Sequence, residues 1–212
     1  MCSGRVDLEF ILRAFSNGLD GVFIGGCRLN ECNYITHGNY DALSNTHLCK
    51  KIMEHIGLNP QRLRIEFMSG ADGNLLADVT NDFTREVKAL GPLGQGEGLD
   101  QDALKFKLQA VSTLVPYIKL VERERLRVPV KSEEAYKMFF ESSEVNRLFN
   151  ELISDKLTIS QIMLLLEKKP LSTGEISDKL GLNPSAVARH MINSSRHGLI
   201  RYDVNTKCYA LG

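Results

Sequence analysis

Residues 19–34 read LDGVFIGGCRLNECNY, and this stretch decides how the first half of the chain is read. Within it GVFIG, residues 21–25, is a short apolar run that ends in glycines, the pattern of a strand buried in a parallel sheet. Two cysteines five positions apart, Cys27 and Cys32, follow at once, and a third, Cys2, stands in MCSGRVD. Thiolates bind iron-sulfur clusters and zinc alike, and adjacent glycines let backbone amides approach the sulfurs. The spacing alone leaves three readings open. These are an iron-sulfur site, a structural zinc site that adds His37 or His47 to the three thiols, and small buried thiols in a redox-inert core.

Working outward, Leu8, Ile11, Leu12 and Phe15 recur at helical spacing behind Asp7, a suitable N-cap, and the helix is expected to stop near Asn17-Gly18. Downstream, the pattern predicts a helix over 41–55 with Leu43, Leu48, Ile52 and Met53 inward and Gly57 as C-cap. A second strand is predicted over 63–67 and a third helix over 74–90. Strands alternating with helices define an α/β class, here a Rossmann-like or flavodoxin-like three-layer domain over residues 1–92.

GPLGQGEGLDQ, residues 91–101, holds four glycines and a proline and reads as a linker. Beyond it Leu104, Leu108, Val111, Val115 and Ile118 line one helical face, which Pro116 is expected to kink or divide. An amphipathic segment over 132–152 follows VERERLRVPVKSEE, whose mixed charges read as a solvated face. Residues 93–157 thus form a linker and helical segment.

Residues 158–212 carry a different pattern. A helix over 159–166 precedes Ser172-Thr173 with Glu175, an N-terminal capping signature, and Gly181 turns the chain before Asn183-Pro184 starts another helix. Two short strands over 199–203 and 207–211, joined at Asn205, complete a winged helix whose wording resembles the ArsR and MarR type of regulators. Ser185, Arg189, His190, Asn193 and Arg196 could face a major groove, with Lys207 in the wing near phosphate. Seven basic against four acidic residues is a small excess for a DNA reader, so a protein partner is expected on that surface ahead of an operator.

Across all 212 residues the formal charge is zero. No run of about 18 apolar residues exists and the start lacks the order of a signal peptide, so the cytoplasm is the expected compartment. Five cysteines there suggest free thiols or metal ligands, with Cys49 and Cys208 read as packing residues. No Ser-His-Asp order, phosphate-binding GxxxxGK or HExxH helix occurs, so no substrate-transforming site is expected.

MCSGRVD, LEFILRAFSNG, LDGVFIGGC with the following Cys32, Tyr34 and Gly38-Asn39, and RLRIEF before SGADG succeed one another in order. Over residues 1–92 the chain therefore resembles the delta, or D, iron-sulfur subunit of methyl-viologen-reducing hydrogenase. The resemblance implies a [2Fe-2S] electron relay, with Cys2, Cys27 and Cys32 on family cysteines. It also implies two partners, a heterodisulfide reductase A-type flavoprotein and a hydrogenase or formate dehydrogenase module. Arg28 and Asn33 stand where the family usually has histidines. The family also carries a Cys-x-x-Cys on a strand ahead of MCSGRVD, so the chain reads as N-terminally short, with that strand and its thiols expected upstream or from a partner. The rival reading is a redox- or metal-responsive winged-helix transcription regulator.

Overall fold

Asp7 starts the first helix, α1 (Leu8–Ser16), by accepting the Glu9 N–H at 3.0 Å on its side chain. Leu8, Ile11, Leu12 and Phe15 then form one stripe, each only 1% exposed. This computed structural model describes residues 2–34 and 37–212. It divides into two compact units, Met1–Leu148 and Phe149–Gly212.

In the first unit β1 (Val22–Gly26) pairs in parallel with β2 (Leu63–Phe67), in register from Val22↔Leu63 to Gly26↔Phe67. The crossover is α2 (Asn39–Ile56), which buries Leu43, Leu48, Cys49, Ile52 and Met53 and ends at Gly57, where φ of +83° favours glycine. α3 (Gly73–Leu90) follows, with Phe83 as its one buried residue. Among the described residues the unit is therefore a single βαβ motif with added helices. The expected three-layer Rossmann-like or flavodoxin-like domain has only two strands here, because helices make up most of the remaining chain. Leu75 and Leu76, on the first turn of amphipathic α3, stay 44% and 46% exposed.

The glycine-rich stretch after α3 is not a free tether. Arg62, fully buried at the base of β2, donates to Glu97 at 2.6 and 3.1 Å and to the carbonyls of Asp20, Gly91, Leu90 and Pro92 at 2.9–3.3 Å. Composition suggested flexibility, but the glycines here let the chain close around one guanidinium, and a Cβ on Gly96 would lie 2.0 Å from the Leu90 carbonyl oxygen. Beyond it α4 (Gln101–Arg125) passes Pro116 undivided. Proline removes the helical donor to the Ser112 carbonyl, yet Val115 and Ile118 beside it are buried, and packing against α1 offsets the lost bond. The segment expected over 132–152 breaks at Ser142, giving α5 (Glu133–Glu141) and α6 (Ser143–Phe149).

The second unit contains α7 (Asp155–Lys168), α8 (Thr173–Leu180), α9 (Pro184–Arg196) and the antiparallel pair β3 (Ile200–Asp203) and β4 (Cys208–Leu211). Ser172 and Glu175 form the capping box, and Asn183 caps α9 by accepting the Ser185 N–H at 2.8 Å. Ile162, Leu166, Leu171, Ile176, Val187, Met191 and Ile200 make its core. Leu171 bridges Tyr209, so the hairpin is tied to the segment before α8. No helix among the described residues is long and apolar enough to cross a membrane.

Candidate functional site

Two segments of the first unit meet at the N-terminus of α2: the turn after Cys2, and the loop that leaves β1 with Cys27 and Cys32. The sulfurs of Cys2 and Cys32 lie 3.6 Å apart, and Cys32 is also in hydrogen-bond contact with Cys27. Cys27 is exposed, and the other two are half-buried. The fold thus gathers all three predicted cysteines, although they are not closed into a metal-ready cage. No group of three His, Cys, Asp or Glu side chains among the described residues stands ready as one.

The electrostatics divide the thiols. Backbone N–H groups of Tyr34 and Asn39 donate to Cys32, at the positive end of α2, and hold its thiol below the ordinary value. Cys27 is shifted upward, first by partial desolvation and then by the hydrogen bond and charge of Cys32. Of these two thiols Cys32 is therefore the one favoured as thiolate.

Glycines make this approach possible. A Cβ on Gly38 would lie 2.6 Å from the Cys32 sulfur and 2.2 Å from the Tyr34 carbonyl oxygen, and a Cβ on Gly4 would lie 2.5 Å from the Gly38 carbonyl oxygen. The Gly4 N–H donates to the Cys2 sulfur at 3.4 Å. Asn39, 1% exposed, gives its amide hydrogens to the carbonyls of Cys27 and Arg28, both at 2.8 Å, and reaches the Cys27 sulfur at 3.6 Å. The Ser3 hydroxyl is buried without a hydrogen-bond partner among the described residues, 2.9 Å from where a Cβ on Gly26 would lie. Sequence reasoning picked the thiols but not Ser3, Gly4, Gly38 or Asn39. The signal was the Gly-Asn pair that opens α2 without a serine or threonine cap.

Arg28 ties the cysteine loop to the turn before α3 through Asp72, at 2.7 and 3.0 Å. His37 is 73% exposed and pairs with Asp41 at 3.1 Å. His47 is half-buried: its ring stacks on Phe140 at 5.2 Å, and burial pushes its pKa down to about 4. Cys49 is fully buried with its thiol pushed up to about 12, while the Cys208 thiol donates to the Thr206 carbonyl at 3.3 Å.

In the second unit Ser185, Arg189, Asn193 and Arg196 are exposed on one face of α9. His190 is not available there, a correction to its expected contact role. It is 6% exposed, one position round the helix from Arg189, and its Nε2 lies 3.8 Å from Asp155 on α7. Lys207 lies in the exposed turn of the hairpin, with φ of +53°. From Lys179 to Tyr202 no acidic residue occurs, a local asymmetry that the whole-unit count conceals.

Fold and site together define a βαβ unit with three gathered cysteines joined in one chain to a helix-turn-helix unit. Comparison with known proteins is consistent with this division. Residues 1–91 match the family profile of the methyl-viologen-reducing hydrogenase delta subunit, and residues 158–192 match that of the ArsR family of bacterial regulatory proteins. The chain is 45% identical over 91 residues to the D-type iron-sulfur subunit of the F420-non-reducing hydrogenase of Archaeoglobus profundus, covering 43% of this chain and 66% of the relative. It is 36% identical over 92 residues to the D-type iron-sulfur subunit of the vhu F420-non-reducing hydrogenase of Methanopyrus kandleri, covering 43% and 69%. With the A-type subunit of the Ferredoxin/F(420)H(2)-dependent CoB-CoM heterodisulfide reductase of Methanosarcina acetivorans it shares 45% identity over 94 residues, which is 44% of this chain and 12% of that protein. The chain belongs to the methyl-viologen-reducing hydrogenase delta subunit family.

Proposed function

We propose that the first unit is an electron relay whose iron-sulfur cluster is held by Cys2, Cys27 and Cys32. Its neighbours would be a hydrogenase or formate dehydrogenase module on one side and a heterodisulfide reductase A-type flavoprotein on the other. The observation that carries this reading is the convergence of three thiols from two distant segments on one helix N-terminus. Glycines clear the space there, and backbone N–H groups point at sulfur. Hydrogen bonds to sulfur and the degree of burial set a cluster's potential, so Gly4, Tyr34 and Asn39 would tune it and the unpartnered Ser3 hydroxyl would be a further donor. When bound, the cluster supplies one-electron transfer.

A [2Fe-2S] cluster takes four ligands, and these residues supply three. The remaining thiolate belongs in the same proposal as the three-layer fold. A further strand beside the two-stranded sheet would give α3 a surface to cover, and the family resemblance puts a Cys-x-x-Cys on such a strand.

Anaerobic purification with native partners, followed by iron, acid-labile sulfide and zinc analysis, tests the reading. Iron and sulfide in stoichiometric amounts support it, and Cys27→Ser, Cys32→Ser and Gly38→Ala should each abolish cluster absorbance. Stoichiometric zinc with no iron or sulfide would sink it.

One observation favours a second reading, a redox- or metal-responsive winged-helix regulator. The acid-free run from Lys179 to Tyr202 presents Arg189, Asn193 and Arg196 on one exposed face. Salt-dependent, sequence-selective binding to a duplex, lost in Arg189→Ala/Arg196→Ala, would support it. Equal binding to any duplex, or none, would count against it.

A further inference from the structure

The turn that separates Cys27 from Cys32 is held by groups from beyond it. The Glu31 N–H closes it on the Arg28 carbonyl at 3.1 Å, and it carries Asn30 with φ of +69°. Left-handed backbone is costly for most residues and less so for asparagine, which gains there from a partner on its side chain. That partner is Tyr40, 7% exposed on the first turn of α2, whose hydroxyl oxygen lies 2.9 Å from the Asn30 side-chain amide. Its neighbour Asn39 already grips the Cys27 and Arg28 carbonyls, so two consecutive residues of one helix end hold both sides of the turn.

Tyr40 is itself anchored outside the 1–91 stretch shared with the delta-subunit family. Its oxygen lies 2.8 Å from the Lys131 carbonyl oxygen, its ring packs on Tyr136 with centroids 5.3 Å apart, and the Lys131 ammonium lies 5.3 Å from the Tyr40 ring centre. A phenol has one proton, and the Lys131 carbonyl can only accept. With that proton on Lys131, the Asn30 amide turns its N–H to the phenol oxygen, and the bonds run from turn to Tyr40 to Lys131 without a gap. Ring packing and the cation–π contact keep the ring in place with or without its hydroxyl. The hydroxyl is what joins that ring to the turn.

We infer that Tyr40 is a positioning residue for the cysteine site: through Asn30 its hydroxyl fixes the 28–31 turn, and so the approach of Cys27 to Cys32, against the segment around Lys131. This rests on the reading of these thiols as cluster ligands, yet it concerns the turn, which can be probed with no cluster present.

Phenylarsine oxide is the probe, because it bridges two thiols that close on one arsenic, forming two As–S bonds and releasing water. Its capture by the metal-free, reduced full chain is measured in a Cys2→Ser background, where Cys27 and Cys32 are the pair left at the site. Closing the second bond is an intramolecular step that depends on placement, so Tyr40→Phe should weaken capture roughly tenfold or more. Tyr136→Phe should capture as the parent does, since it removes a neighbouring hydroxyl that contacts the Lys131 ammonium at 3.2 Å. Glycine adopts a left-handed φ unaided and has no amide to hold, so in an Asn30→Gly background Tyr40→Phe should change capture by less than about twofold. A purely stabilising tyrosine would instead lower the melting temperature in both backgrounds and leave capture by the folded protein as it was. Should Tyr40→Phe fail to fold, Asn30→Ala replaces it at the exposed end of the contact, because alanine removes the amide and disfavours the left-handed φ, and capture should weaken there too. Weakened capture supports the inference whether or not the parent holds iron. Unchanged capture in these variants overturns it even in a protein that holds a full cluster. It is equally overturned by a parent that captures nothing, by an equal loss in Tyr136→Phe, or by an undiminished effect of Tyr40→Phe in the Asn30→Gly background.

Discussion

Replacing Arg62 by Met should be among the most damaging single changes in the first unit. The guanidinium is fully buried, its Glu97 partner side chain is 9% exposed, and every N–H of Arg62 reaches Glu97 or one of four backbone carbonyls. Methionine would leave Asp20, Leu90, Gly91 and Pro92 carbonyls without this donor and Glu97 without its countercharge. Only the Asn59 and Gly94 N–H groups would remain on that carboxylate, at 3.1 and 3.0 Å. Breaking a buried pair by removing one member costs about 3–5 kcal/mol. For a chain of this size that corresponds to a fall in melting temperature of roughly 6–20 °C. Differential scanning calorimetry of the full chain is the assay. Replacing both residues, Arg62→Met with Glu97→Leu, should cost less than the two single changes added together, because the second substitution removes the charge that the first leaves stranded. There is also a pH signature. Burial raises the Glu97 pKa, but the hydrogen bonds from Arg62 and Asn59 outweigh it, and the net shift is downward from 4.5. The pair's stabilisation is thus complete above about pH 4.5 and lost as pH falls through the lower folded value. Arg62→Met should flatten that acid limb. A melting temperature within about 2 °C of the parent would refute the clamp.

Two other expectations follow from the shifted groups. In metal-free, reduced protein at neutral pH, iodoacetamide should label Cys32 ahead of Cys27, because backbone N–H groups of Tyr34 and Asn39 favour the Cys32 thiolate; Cys49 should label only on unfolding. Site-resolved mass spectrometry reads the order, and faster labelling of Cys27 would contradict the assigned geometry. His47 is half-buried and neutral against Phe140 with a folded pKa of about 4 against the usual 6.5, so the unfolded chain takes up its proton first. Stability should therefore fall as pH drops from about 6.5 towards 4, and His47→Leu should remove that slope in acid melting curves. An unchanged slope would assign the acid sensitivity elsewhere.

What the sequence made legible was whatever repeats along a single element. The apolar stripes of α1, α2 and α4, the span of β2, Gly57 as a left-handed cap and the capping box at Ser172 depend on neighbours a few residues apart, and each is where its periodicity placed it. Long-range partners were not legible. Arg62 looks like any charged residue before a strand until residues 90–97 fold back over it, and the same fold turns a glycine-rich composition from a tether into a closed loop. His190 failed for a smaller reason: helical spacing shows which residues share a face, but not whether that face meets α7 or solvent.

The cysteine site lies between these cases. Its thiols were visible as residue types, whereas the arrangement that lets them act together was not. Cys2 and Cys32 are thirty positions apart and meet because Gly4 and Gly38 lack the Cβ atoms that would hold the two segments apart. The chemistry of the site is consequently carried as much by its glycines as by its sulfurs. A substitution such as Gly38→Ala, which removes no ligand, should be as damaging to any bound cluster as loss of Cys32 itself, since Cys32 could then no longer reach the N-terminus of α2.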